Sequence, residues 1–180
     1  MTLNIETIIG LLTGLGTLAL AGITAYNVYI SIKETKIAYY TEKIEGFYLP
    51  LINILSSATF KCKDTYENLN RIIKEKAYLA ESNTQRALPS EDSWMDSSFN
   101  SLIQKDCTPT PFNTYPDFTF IYFSDQKNLD QWQNFADVLW EDYINILKEL
   151  NKLKGIKTGN DFKKPEWRLR KFSPPSNGFI

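Results

Sequence analysis

IIGLLTGLGTLALAGITAYNVYISI, residues Ile8 to Ile32, carries no charged side chain and is bounded by Glu6 and Lys33. As a helix rising about 1.5 Å per residue, the run is longer than the roughly 30 Å hydrocarbon core of a bilayer. Backbone groups in lipid must bond one another, so a membrane-crossing reading makes this stretch a helix. Thr13, Thr17 and Thr24 can bond back to the preceding turn, and Tyr26 and Tyr29 suit the headgroup zone. A buried soluble helix is the bland alternative, but the rest of the chain is too polar to wrap one on all sides. A second rival is a cleaved signal peptide, since Ala19-Leu20-Ala21 before Gly22 has the look of a cleavage site. Against it stand the lack of Lys and Arg ahead of the run and its continuation well past the cut.

Basic residues flank only one side: Lys33, Lys36 and Lys43 follow the span. The positive-inside rule then predicts the amino terminus outside and the carboxyl-terminal part in the cytoplasm. Thiols there stay reduced, so no Cys62–Cys107 disulfide is expected. Within the span Gly10 and Gly14 form G-x-x-x-G, and Thr13, Thr17, Ala21 and Ala25 follow on an adjoining stripe. Small residues at this spacing let helix backbones approach, so a second copy or a partner membrane protein is the expected associate. Glycine is also common in membrane helices at large.

The whole chain of 180 residues has 20 basic and 21 acidic side chains and no histidine. That charge balance gives no global pull toward nucleic acid, and none is expected as a partner. Without histidine there is no Ser-His-Asp or Cys-His pair, no HExxH zinc site and no imidazole shuttle. No phosphate-binding loop, G-x-S-x-G or C-x-x-C occurs, and no cofactor or metal is expected. Asp137 and Glu141, with Asp142 beside them, come nearest to a carboxylate group and are read as a solvated face. No residue is assigned a catalytic role.

The organisation expected is mainly α: a short flank 1–7, a transmembrane helix 8–32, a helical stalk 33–49, a helical domain 50–155 and a tail 156–180. Ile37, Tyr40, Ile44 and Phe47 carry the stalk's apolar face, and Pro50 predicts a kink or break at Tyr48–Pro50. A second helix is expected from Pro50 to Glu81, with Ile52, Leu55, Cys62, Leu69, Ile73 and Ala80 on one face. The last helix, about Asn128 to Lys154, carries Trp132, Phe135, Leu139, Tyr143, Ile146, Leu150 and Leu153. Ser124 or Asp125 caps it, and Gly155 stops it. These two helices are expected to pair as an antiparallel hairpin, with an irregular insert at 82–127. An intermolecular coiled coil would bury the same stripes.

Phe118–Phe123 is the one convincing strand-like run; it could pair with another chain, and the reading preferred is an extended segment lying across the helices. In the tail, Lys163, Lys164, Arg168, Arg170 and Lys171 interleave with Trp167. Such a basic, aromatic pattern could contact lipid headgroups, though a solvated or loosely docked tail is the plainer expectation.

The segment Glu42–Leu51, EKIEGFYLPL, resembles one in uncharacterised prokaryotic membrane proteins. In those, an E-x-F-Y-x-P-L stretch after a single membrane helix opens a cytoplasmic helical domain. The resemblance implies a prokaryotic membrane-anchored helical protein and no particular activity. The function expected is therefore a non-enzymatic, membrane-anchored scaffold, anchor or accessory subunit. The alternative is a membrane effector or sensor, in stress or phage defence, that acts by oligomerising.

Overall fold

The computed structural model describes residues 4–56, 62–89, 121–123, 125–157, 159 and 161–171. It divides into two units, Met1–Tyr39 and Tyr40–Ile180. The compact unit therefore starts ten residues before the expected boundary at 50, and it takes in part of the tail.

The first unit is helical. Helix α1 spans Ile5–Lys43, and Thr13, Thr17 and Thr24 each donate their hydroxyl to the carbonyl four residues back, at 2.9 Å. Those bonds hide polar hydroxyls on an otherwise apolar surface. Leu11, Leu12, Leu15, Leu18, Leu20 and Ile23 are all exposed.

The second unit opens on an irregularity. Ile44–Tyr48 forms a π turn, in which the Leu49 N–H reaches the Ile44 carbonyl, and α2 (Leu49–Ser56) follows directly. The expected kink at Tyr48–Pro50 is therefore replaced by a widened turn. Pro50 has no N–H to give, and in a regular helix its ring would meet the carbonyl of Gly46. Widening to i→i+5 bonding lets the chain stay helical past it. The turn is also the centre of the core: Phe47, Tyr48, Leu51 and Leu55 are 0% exposed.

Helix α3 (Cys62–Lys76) ends in a 3-10 turn at Ala77–Leu79, and α4 (Ser82–Ala87) follows. The single helix expected over Pro50–Glu81 is thus several pieces, although Ile52, Leu55, Leu69, Ile73 and Ala80 are buried as the stripe requires. The side chain of Cys62 lies outside the described residues, as do Cys107 and the insert's 90–120.

Helix α5 (Gln126–Lys154) is the longest element of this unit. Its cap is Asp125, whose carboxylate accepts from the Asn128 N–H at 2.7 Å. It stops at Gly155, in the left-handed region at φ 71, where Ile156 N–H returns to the Asn151 carbonyl. Trp132, Phe135, Leu139, Ile146 and Leu150 are buried as expected, with Tyr143 and Leu153 half-buried. Its neighbours are not one long partner helix. It packs on α4, the π turn, α2 and two short strands, so the expected two-helix hairpin gives way to a several-sided pack.

Those strands correct the reading of Phe118–Phe123 as an unpaired segment. β1 (Ile121–Phe123) pairs in parallel with β2 (Leu169–Lys171), Ile121 opposite Leu169. Phe123, Trp132 and Phe135 form a buried aromatic row, with centroids 6.0 and 5.8 Å apart.

Candidate functional site

The second unit buries several polar groups, and a set of them is joined by hydrogen bonds across its elements. Lys43 is only 4% exposed, and its ammonium donates to Glu81 Oε1 at 2.6 Å. Glu81 also gives its backbone N–H to the Tyr48 hydroxyl at 2.8 Å. Thr84, fully buried, donates both its N–H (3.1 Å) and its hydroxyl (2.7 Å) to Asp142 Oδ2. Asp142 thus crosses from α5 to cap the first turn of α4, a task usually done by the residue just before a helix. Helix α4 lacks such a local cap, since no side chain of its own N-cap residue, Glu81, bonds there.

Burial raises the Tyr48 phenol above its ordinary 10.0, and the nearby Asp142 and Glu81 charges add to the shift. Hydrogen bonds to the Glu81 amide and Thr84 work in the opposite direction. The Tyr143 phenol is raised by burial.

Beside Asp142 lies a shallow, open depression of about 350 Å³, lined by Asn83, Arg86 and Ala87 of α4 and Asn134, Val138 and Glu141 of α5. Its walls mix amides with one cation and one free carboxylate. Among the described residues no group of three or more Cys, Asp or Glu is placed to hold a metal.

The three carboxylates grouped on the last helix diverge. Glu141 is exposed on the rim, as expected of a solvated face. Asp142 corrects that reading, at 6% exposure. Asp137 is half-buried and accepts from Trp167 Nε1 at 2.7 Å and Lys164 Nζ at 2.6 Å. The sequence held a sign of Asp142's role. It falls three residues after Leu139 and four before Ile146, on the buried stripe, where a carboxylate needs donors.

Of the two forms expected for the plain tail, solvated or loosely docked, the described residues up to 171 take the docked one. Lys164 and Trp167 are engaged by Asp137. The Arg168 N–H donates to the Leu55 carbonyl at 2.8 Å, and its carbonyl accepts from the Ile121 N–H at 2.7 Å. Leu169 is 4% exposed, while Lys163, Arg170 and Lys171 are exposed. The six residues nominated for headgroup contact are therefore divided between holding the fold and facing outward. On the first unit's helix, Gly10, Gly14, Thr17, Ala21 and Ala25 are all exposed, and an added Cβ at either glycine would meet nothing within 4 Å.

Two outcomes test this arrangement. Asp142→Ala strands the Thr84 N–H and hydroxyl in the interior, and should cost about 3 kcal/mol in urea unfolding. Glu141→Ala, one residue away but exposed, should stay within about 0.5 kcal/mol. The second concerns pH. With the Tyr48 phenol raised, the folded chain holds that proton after the unfolded chain begins to lose it. The resulting stability is complete below pH 10.0 and fades as pH rises through the folded-state value. Between about pH 9 and pH 11, Tm should therefore fall more steeply in the wild type than in Tyr48→Phe.

A protein-family profile described as "Uncharacterized protein" matches residues 37–171. An uncharacterised protein of the archaeon Archaeoglobus fulgidus is 26% identical over 143 residues, covering 79% of this chain and 64% of the relative. The chain thus spans less than two thirds of that relative's length. A solved structure, the C-terminal domain of a protein of unknown function from Archaeoglobus fulgidus, superimposes with a TM-score of 0.57 at 25% identity. That match covers 76% of this chain and 99% of the solved one. With three quarters of its length inside the family match, from the end of α1 through the π turn to β2, the chain belongs to this family of uncharacterised proteins.

Proposed function

We propose that this chain is a membrane-anchored interaction protein, in which Ile8–Ile32 crosses the bilayer and the second unit works as a non-enzymatic helical domain at the cytoplasmic face. The observation that carries this reading is the exposure of the apolar helix around its whole circumference. Its most apolar stretch has a mean hydropathy of 1.9 and is 0% buried. Leu11, Leu12, Leu15, Leu18, Leu20 and Ile23 alone are 58% to 71% exposed. Leaving six such side chains in water forgoes on the order of 10 kcal/mol, a sum comparable to a whole domain's stability. Lipid removes that cost, and the three back-bonded threonines fit a lipid-facing helix.

The non-enzymatic part of the proposal draws on the fate of the carboxylates. Asp142 is engaged in capping α4, Asp137 in holding the tail and Glu81 in neutralising Lys43. Each is taken up by the fold. The orientation draws on Lys33 and Lys36 after the span, against no basic residue before it.

Fractionation tests the anchor. The full chain should sediment with membranes, resist alkaline carbonate and be released only by detergent; recovery in the soluble fraction, or release by carbonate, would overturn it. Orientation is read with Glu149→Cys, an exposed α5 position, in a chain carrying Cys62→Ala and Cys107→Ala. A membrane-impermeant thiol reagent should label it only after the cells are permeabilised.

A further inference from the structure

Glu81 grips the π turn at both ends. Its carboxylate takes the Lys43 ammonium at 2.6 Å, and its backbone N–H donates to the Tyr48 hydroxyl at 2.8 Å. Lys43 and Tyr48 are five residues apart, one on each flank of Ile44-Glu45-Gly46-Phe47. On a regular α-helix, at about 100° per residue, their side chains would point about 140° apart, and no one residue could meet both. An i→i+5 turn brings residues five apart nearly into line. Gly46, at the middle of the turn, adds a third constraint: a Cβ there would lie 3.1 Å from Leu79 Cδ1, in the segment leading to Glu81.

We propose that Glu81 is a clasp that selects the π register of Ile44–Tyr48. The turn has a second, unclasped state, in which the chain bends at Pro50 as proline in a helix interior normally requires. Exchange between the two states couples the π turn Ile44–Tyr48 to the 77–87 segment. The reason lies in what Glu81 is joined to. It is the residue immediately before α4, so its displacement carries Asn83, Arg86 and Ala87, which form one wall of the depression against α5. The two halves of the ion pair also differ in access. The Lys43 side chain is 5% exposed and that of Glu81 41%, so Glu81 is the half that a binding partner can reach.

Hydrogen exchange by mass spectrometry on the full chain in detergent micelles tests the clasp. Lys43→Met removes the charge but keeps the stem, and the Glu81 carboxylate that it leaves without its ion pair is 41% exposed and can be solvated. The expected result is exchange faster by about tenfold or more in both 44–49 and 77–87, with α5 within about twofold of wild type. Glu81→Gln, which keeps the backbone N–H and one carbonyl acceptor, should move the same two segments by less. Glu42→Gln, at an exposed position one residue away, should move neither. The clasp is overturned if exchange rises only in 44–49, if neither segment changes, or if α5 rises in step with them, which would mean general loosening. Should Lys43→Met not accumulate, Glu81→Gln is judged by those same criteria.

Discussion

Pro50 has no amide hydrogen, yet the chain around it has to remain helical, because Phe47, Tyr48, Leu51 and Leu55 are the fully buried residues on which α5, α3 and α2 converge. A break would turn that apolar face away from its neighbours. The π turn resolves the conflict by placing the lost hydrogen bond in a wider loop of backbone. Once the register is set there, other features follow. Lys43 and Tyr48 come to the same side, Glu81 can meet both, and Gly46 leaves room for Leu79, whose Cδ1 would lie 3.1 Å from a Cβ there. The irregularity is thus a joint, and the rest of the second unit is arranged about it.

Burying polar groups here carries a cost that the pairing offsets. A buried hydroxyl or amide without a partner costs about 1–3 kcal/mol, whereas a satisfied one contributes only about 1 kcal/mol. Thr84 and Asp142 therefore stabilise less by their bond than they would destabilise by losing it. That asymmetry favours one packing of α4 on α5 over any neighbour shifted by a turn, since a shifted packing would orphan both. Leucines at the same places would bind the elements with less discrimination. In a domain whose longest helix meets several short elements, such discrimination carries more weight than added apolar area.

The parts legible in the sequence are those governed by local rules. Helix α5 has a periodic stripe, an Asp cap and a stopping glycine, all within about thirty residues, and its ends were readable to within two or three positions. The uncharged run before Lys33 is equally plain as a long apolar helix. What escaped depended on distant partners. β2 is three residues with a single apolar side chain, Leu169, and it becomes a strand only because β1 lies beside it. Trp167 and Lys164 read as part of a solvated or loosely docked basic tail, and their partner, Asp137, lies about thirty residues back in the chain. Asp142 was assigned to solvent because a carboxylate is usually there. Its place between Leu139 and Ile146 said otherwise, and only the buried Thr84 explains why it is tolerated. The π turn has no propensity signature. Pro50 marked the place of the disturbance but not its form, which Lys43, Gly46 and Tyr48 settle jointly with Glu81.

The two units follow opposite rules for satisfying polar groups, and the contrast bears on what surrounds each. In Ile8–Ile32 every side-chain hydroxyl from Thr13 to Thr24 turns back onto its own helix, and the apolar residues face outward. In the second unit the buried hydroxyls and carboxylates reach across to other elements, and the apolar residues face inward. A helix that satisfies itself asks nothing polar of its surroundings, which is the requirement of a hydrocarbon solvent. A domain that spends Asp142, Thr84, Tyr48 and Lys43 on its own interior asks instead for one fixed arrangement. The family match from 37 to 171 contains that arrangement and leaves the apolar run outside it. What the joint holds in place are the rim of Asn83, Arg86 and Glu141 and the outward side of Glu81, so these surfaces keep a fixed shape only while the polar contacts beneath them do.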